Sequence, residues 1–176
     1  MRKKKLLFIS LALVLVLGAL IPAVALAAKP VEFNASGNIT YIELGGSVFP
    51  AGESGRWVVA SRYLDGTFLS GDVNGDFTLT YKANVDSEQA GNLHGLLEVG
   101  AYTLRVNGTI EPLEVVWFEP LGTFLPMLTI SGHWTFIEGA QGQGDFDAWL
   151  IFIPFGEHVG MVVAGEFTMT GKWQQP

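Results

Sequence analysis

The chain contains no cysteine, which excludes disulfide bonds, a thiol nucleophile and a cysteine-linked lipid. Charge is also scarce, because only 15% of the 176 residues are Asp, Glu, Lys or Arg, whereas 22 are glycine. Beyond residue 28, no long segment has the apolar period of about 3.6 residues that is typical of an amphipathic helix. Stability must therefore come from side-chain packing in a structure built of strands.

The longest apolar run lies near the N-terminus, at residues 6–21, and follows four basic residues. A small-residue segment containing Ala25 and Ala27 comes soon after it. This pattern predicts a signal-peptide helix over residues 1–27, with cleavage after Ala27. A retained anchor is the alternative, because the run approaches the roughly 20 apolar residues of a spanning helix. The domain at residues 28–176 is expected to be secreted or extracytoplasmic, with no stable membrane insertion after cleavage.

The predicted cleavage leaves a strongly acidic domain. It removes four of the 10 Lys and Arg residues and none of the 17 Asp and Glu residues, so the net charge becomes 6 minus 17, or −11. Such a surface repels phosphate backbones and anionic lipid headgroups. Nucleic acids and anionic membrane surfaces are therefore not expected as partners.

Apolar residues beyond the signal alternate in twos between glycine-rich breaks, which is the pattern of half-buried β-strands. Breaks such as Asp65-Gly66, Asn74-Gly75 and Gly139 to Gly144 contain the residues of tight turns. The runs predict about eight to ten strands, most of them joined by hairpins. We expect one all-β domain folded as an antiparallel barrel of about eight strands, with a β-sandwich as the alternative.

One seven-residue pattern occurs twice: LTISGHW ends at Trp134 and FTMTGKW ends at Trp173. Alternation places Gly132 on the face of Trp134, and Gly171 on the face of Trp173. An inward glycine two residues before a tryptophan leaves room for the ring and lets the strand bend. The repeat therefore indicates two core strands of a closing sheet and carries no chemistry.

A glycine-rich corner follows the first copy, in the segment WTFIEGAQGQGDFDAW. An aromatic strand leads there through Gly139, Ala140, Gly142 and Gly144 to Phe146 in the next strand. This arrangement resembles the corner of small secreted β-barrels of the dirigent and allene-oxide-cyclase-like type. The resemblance implies an eight-stranded barrel for this chain, and it transfers no catalytic residue.

The segment AWLIFI is apolar on both faces of its predicted strand. Trp149, Ile151 and Ile153 lie opposite the face that the barrel would bury. Such a strand needs a second cover, which is an interior ligand, a partner subunit, a loop at residues 111–127, or lipid. Self-association and the loop are the simplest covers, because homo-oligomers are common.

We predict that four aromatic residues on inward faces line the interior: Trp57, Trp134, Phe146 and Trp173. A barrel of this size can hold one small molecule. The predicted role is therefore non-catalytic binding of a small hydrophobic molecule inside the barrel. The alternatives are a self-associating extracellular structural module, present as a homo-oligomer, and a cyclase-like enzyme whose cavity holds a reactive substrate.

The polar residues form no recognisable metal site, and neither a metal nor another cofactor is predicted. His94, His133 and His158 lie in separate runs without the short spacings of zinc ligands. The segment GDVNGDF begins like a calcium loop but has Phe77 where that loop needs glycine. An Asn-Gly hairpin is the better interpretation of the segment.

No residue is assigned a catalytic role. Asp145 and Asp147 share a strand face at about 7 Å, between the carboxyl separations of retaining and inverting glycosidases. We interpret them as part of a solvated surface. A cyclase-like enzyme would need an acid or base inside the barrel, but alternation places His94, Glu98 and Glu166 on the outer face.

Carbohydrate binding is a third class of function, and it would require a row of exposed aromatic side chains. Trp117 and Trp149 are the candidates for such a row. The triplets that begin at Asn38 and Asn107 are glycosylation sequons, but such triplets often arise by chance and decide nothing about function.

Overall fold

The computed structural model describes residues 29–45, 47–155 and 159–174. The predicted signal peptide at residues 1–27, its cleavage site and His158 lie outside the described residues. The described strands are β1 (Val31–Glu43), β2 (Ser47–Pro50), β3 (Trp57–Gly71), β4 (Gly75–Val85), β5 (Gly91–Val99), β6 (Tyr102–Ile110), β7 (Glu114–Phe118), β8 (Thr123–Glu138), β9 (Gln141–Phe155) and β10 (Val159–Gln174). A short 3₁₀ helix, Glu119–Leu121, lies between β7 and β8.

Eight of these strands close into an up-and-down barrel. Each pairs antiparallel with the next in the order β1, β3, β4, β5, β6, β8, β9 and β10. β10 then pairs with β1, which has β3 on its other edge, so the sheet is closed. The predicted all-β antiparallel barrel is confirmed, and the β-sandwich alternative is wrong.

The two remaining strands lengthen the barrel at one end. β2 follows β1 and pairs with residues 57–60 of β3, and β7 follows β6 and pairs with residues 123–127 of β8. Because β1 and β6 run in the same direction, both hairpins project from the same end. We call residues 47–60 the first arm, residues 114–127 the second arm, and this end of the barrel the arm end.

A β-bulge in β3 shifts the alternation that the sequence alone predicts. The pairing with β4 slips between Val59 and Arg62, and Ser61 has a positive φ of 58°. Val59 and Leu64 are buried on the two sides of the bulge, whereas Tyr63 is 44% exposed. Strict alternation would place Tyr63 on the same inward face as Val59, but the extra residue of the bulge reverses the faces.

The first strand has a similar irregularity. Its pairing with β3 slips between Ile39 and Tyr41. Ile39 and Ile42 are buried, whereas Tyr41 is only half-buried. The core face of β1 therefore continues through Ile42, whereas strict alternation from Ile39 would place Tyr41 in the core.

Both tryptophans of the repeated pattern lie in the core, towards the end opposite to the arms. Trp134 and Trp173 are each 1% exposed. Phe33 of β1 contacts both, with ring centroids 4.6 Å from Trp134 and 5.3 Å from Trp173. A Cβ atom added to Gly171 would lie 2.8 Å from the Trp134 ring. The inward glycine does leave room for a tryptophan, but the ring belongs to the other copy of the repeat.

A second aromatic cluster joins β3, β4 and β10. Phe68 lies 5.3 Å from Phe77 and 4.7 Å from Phe167 between ring centroids, and Phe77 lies 5.2 Å from Phe167. Among the described residues, no polar or charged side chain other than tyrosine is buried. The interior is therefore held by apolar packing, as the absence of cysteine requires.

Replacing Gly171 by Ala should destabilise the barrel, because the added methyl group would meet the Trp134 ring and the Gln143 carbonyl oxygen. We expect the free energy of unfolding in urea to fall by about 1–3 kcal/mol, as for other overpacked cores. Thr170→Ala changes the exposed neighbouring residue and should cost less than about 1 kcal/mol. Equal losses in the two variants would contradict the packing role of Gly171.

Candidate functional site

The barrel interior contains three of the four aromatic residues that were predicted to line it. Trp134 and Trp173 are buried, and Phe146 is half-buried and packs against the core. Trp57 is 44% exposed, so its predicted interior position is wrong. It is the first residue of β3, where that strand pairs with Pro50 of β2. Trp57 therefore lies on the first arm rather than inside the closed barrel.

Side chains fill most of the interior. The remaining internal cavity has a volume of about 40 Å³. Its lining is entirely apolar and includes Phe77, Phe146, Phe167 and Met169. Ligand pockets usually measure about 300–1,000 Å³, so this space is close to the size of one water molecule. The interior resembles the filled core of other small eight-stranded barrels.

Tyr81 is the one ionisable residue among the buried side chains of the described chain. Burial raises the pKa of its phenol, and the nearby Arg62 guanidinium, which hydrogen-bonds it, partly opposes that shift. The acid and base candidates from the sequence, His94, Glu98 and Glu166, are all exposed on the outer wall, where alternation places them.

Two rows of polar side chains cross the outer wall on β5, β6, β8 and β9. The strand register aligns His94, Asn107, His133 and Asp145 in the first row, and Asn92, Thr109, Ser131 and Asp147 in the second. A groove of about 550 Å³ lies among these side chains, and its lining includes Gly108 and Gly132. We call this feature the outer groove.

Glycine is required between the two rows. A Cβ added to Gly132 would lie 2.1 Å from the Asn107 carbonyl oxygen, and one added to Gly108 would lie 2.9 Å from the Phe146 ring. Both positions alternate with outward-facing residues, so their missing side chains belong to the inner face. The outer groove consequently has a floor of main chain, with polar side chains on either side.

Hydrogen bonds order the first row. His94 Nδ1 lies 2.8 Å from Asn107 Oδ1, and His133 Nδ1 contacts Asp145 Oδ1. A carbonyl or carboxylate oxygen accepts, so Nδ1 of each imidazole donates. In the neutral form, each Nε2 is then an acceptor for a ligand. The His133 and Asp145 side chains are 80% and 69% exposed, so the pair is open to solvent.

A second recess, of about 420 Å³, adjoins the outer groove along His94 and Asn107. Lys82 of β4 and Arg105 of β6 belong to its lining. Neither forms an ion pair with a carboxylate of the described residues. Two free cations therefore lie beside the outer groove in a chain whose formal net charge is −7.

The sequence analysis weighed the histidines as one set and Asp145 with Asp147 as another, and it did not bring the two sets together. It placed Asp145 and Asp147 on a solvated face, which is where they lie, but it did not relate them to His94 or His133. The missing information was the register between strands, which the local alternation of residues does not encode.

The arms carry most of the exposed large apolar side chains. On the first arm these are Val48, Phe49 and Trp57, and on the second arm Val115, Trp117, Leu121 and Phe124, with exposures of 44–66%. The Trp117 and Phe124 rings pack against each other, with centroids 5.2 Å apart. Trp149 is half-buried on the barrel wall, so Trp117 and Trp149 do not form the exposed row that was considered for carbohydrate binding.

The doubly apolar strand is β9. Its outward residue Ile151 is only 9% exposed and pairs with Met127, while Leu125 nearby on β8 is 7% exposed. Residues 111–127, a segment that was one of the possible covers as a loop, form the second arm and its approach. The apolar surface left open is on the arms and not along β9.

No group of three metal-binding side chains occurs within the part of the chain that the structure describes. Residues 29–45, 47–155 and 159–174 also include no helix with the length and apolar character needed to cross a membrane.

Comparison with known proteins adds no assignment to these surfaces. The chain matches no protein-family model, no curated protein and no solved structure. The interpretation of the sites therefore depends on their geometry and chemistry.

Trp134→Ala should destabilise the protein far more than Trp57→Ala, although both remove the same side chain. The buried Trp134 ring would leave a cavity, and we expect a loss of about 3–5 kcal/mol in the free energy of unfolding. The exposed Trp57 should cost less than about 1 kcal/mol. Urea titrations of both variants test the placement, and similar losses would contradict it.

The raised pKa of Tyr81 predicts a loss of stability at alkaline pH. The pKa of Tyr81 in the unfolded chain is near 10.0, the ordinary value for tyrosine, so above that pH the unfolded chain ionises first. The free energy of unfolding is therefore at its full value below about pH 10. It falls by up to about 1.4 kcal/mol per pH unit as pH rises from there to the pKa of Tyr81 in the folded protein.

Tyr81→Phe should lower the baseline stability, because the contact with Arg62 is lost, and should flatten this alkaline slope. Tyr63→Phe, at an exposed position, should leave the slope unchanged. Urea midpoints measured between about pH 9 and pH 11 separate the two variants. An unchanged slope in Tyr81→Phe would remove Tyr81 as its cause.

Proposed function

We propose that the protein is an exported, non-catalytic module that associates with a second copy of itself through the arms. The observation that carries this proposal is the concentration of exposed apolar side chains on the arms, above all Trp117 and Phe124 of the second arm. Large aromatic side chains in contact with each other are typical of interface anchors. Removing them from water is the driving force that we assign to the association.

Backbone geometry favours a β-strand as the partner. Among the described residues, β7 pairs only with β8, so its second edge offers unpaired N–H and C=O groups over five residues. The same edge on another copy satisfies them by antiparallel pairing about a two-fold axis near Val116. A two-fold contact of this kind is self-complementary and closes at the dimer.

Charge favours a protein partner over an anionic membrane. The second arm and its approach, residues 111–127, contain Glu111, Glu114 and Glu119 and neither Lys nor Arg. Lipid-binding surfaces usually surround exposed apolar side chains with basic residues, which attract anionic headgroups. The acidic border of this arm does the opposite.

Binding of a small apolar molecule inside the barrel is the second candidate, and the apolar lining of the internal cavity favours it. The free volume of about 40 Å³ means that core side chains such as Phe146 would have to move. We also keep, as proposals, a relationship to the dirigent and allene-oxide-cyclase-like barrels and the predicted export of the chain. The eight-stranded barrel is consistent with that relationship.

Trp117→Glu combined with Phe124→Glu should convert the assembled protein to a monomer, because each subunit would bury two charges in the contact. Sedimentation equilibrium over a range of concentrations measures the change. Leu69→Glu is the matched control, since Leu69 is 61% exposed but lies on β3 away from the arms. A wild-type protein that is monomeric throughout, or equal dissociation by Leu69→Glu, would overturn the proposal.

Native mass spectrometry of the protein from its own host separates the two candidates. A bare dimer that the arm substitutions dissociate supports association through the arms. A reproducible added mass for each subunit, lost in Trp134→Ala but kept in the arm variant, would support the interior ligand instead.

A further inference from the structure

We infer that the outer groove and its adjoining recess bind an acidic oligosaccharide, a chain of sugar units that carry carboxylates. This inference is independent of the proposed self-association, because the groove lies on the wall formed by β5, β6, β8 and β9 and not on the arms. It assigns a ligand class to a surface that the apolar contacts do not use.

The side chains of the outer groove match sugar hydroxyl groups. Asp147 accepts hydrogen bonds, while Asn92, Thr109 and Ser131 both donate and accept them. Hydroxyl groups need the same mixture, because each one donates once and accepts as well. The row thus offers partners for several hydroxyls without burying an unpaired polar group.

Hydrogen bonds within the first row fix the orientation of its two imidazole rings. Contacts with Asn107 and Asp145 hold the imidazoles of His94 and His133, so each neutral ring offers Nε2 as a fixed acceptor. Groups that are already ordered lose little further side-chain entropy when a ligand binds.

The dimensions favour an oligomer over a single sugar. Neighbouring strands are about 4.8 Å apart, so the aligned positions on β5, β6, β8 and β9 extend over about 14 Å. The two rows are two residues apart along each strand, which is about 7 Å. The ligand that these rows contact is therefore long and narrow, and it crosses the strands.

Lys82 and Arg105, the two basic residues beside the groove, indicate that the ligand is acidic. The chain has 10 Lys and Arg residues, four of them within the first five positions, yet Lys82 and Arg105 lie together beside this groove. Like the other described Lys and Arg residues, neither forms an ion pair with a described carboxylate, but these two line the recess beside the groove. A ligand carboxylate supplies the missing partner in a charge-assisted hydrogen bond.

A nucleic acid fits the same surface less well. Asp145 and Asp147 would repel its phosphates. Phe146 is the one Phe, Tyr or Trp residue in the groove lining, and it is half-buried against the core rather than free to stack on bases. In a sugar chain with one carboxylate per unit, the hydroxyls can approach the aspartates while the carboxylate approaches Lys82 or Arg105.

Affinity electrophoresis and calorimetry with three defined polymers test the inference: polygalacturonate, alginate and hyaluronate. Each is compared with its carboxyl-reduced form. The wild-type protein should bind at least one acidic polymer and bind its reduced form more weakly.

The double variant Lys82→Gln with Arg105→Gln should lose about tenfold or more in affinity, the effect of one charge-assisted contact. Lys172→Gln, an exposed lysine outside the groove, is the matched control and should change affinity by less than about twofold.

Asp147→Asn distinguishes specific binding from general attraction of a polyanion. If Asp147 accepts hydrogen bonds from hydroxyls, this variant should bind more weakly, although it is less negative. Tighter binding would overturn the inference, and so would equal losses in the Lys172→Gln control. Failure to bind all three acidic polymers, or equal binding of the reduced forms, would overturn it as well. Thermal melting of each variant checks that the barrel is intact, which these exposed positions should leave unchanged.

Discussion

The contact of Phe33 with Trp134 and Trp173 holds the barrel closed. It joins the first strand to the last one and to β8, so residues that are about 100 or more positions apart in the chain meet in one cluster. The Trp134 indole N–H donates to the carbonyl oxygens of Asp145 and Thr170, which fixes the ring against β9 and β10. With no cysteine to join the ends, this packing replaces a covalent closure.

Much of the fold follows from the alternation of residues. Phe77, Leu79 and Tyr81 of β4 and Leu93, Leu97 and Val99 of β5 are buried, as their period of two predicts. The prediction fails where an extra residue enters a strand, and Tyr41 and Tyr63 are the examples. A bulge depends on pairing with a neighbour, and a single strand does not specify that pairing.

The alternation of residues did not predict the arms or the outer groove, and the reason is different for these two features. Trp57 alternates with the buried Val59, but at the start of β3 the strand pairs with the arm strand β2 instead of β1, and the Trp57 ring is 44% exposed. His94 and His133 lie far apart in the chain, and their spacing gave no sign that they are neighbours. They share a row only because β6 pairs with both β5 and β8 in a particular register. Local patterns gave the faces, whereas the sites arise from how whole strands align.

The pairing of Val31 with Trp173 has a topological consequence. The first and last strands of the barrel begin and end side by side, at the end opposite to the arms. A short linker from the end of β10 to Val31, in a variant without the residues that precede Val31, would make the polypeptide circular without breaking any strand pair. New termini could then be opened in the turn between β2 and β3, at Gly52 or Gly55, where an added Cβ atom would meet no other atom within 4 Å. Because the wall of the barrel is continuous, the same barrel could be built from a chain whose strands follow one another from a different starting strand.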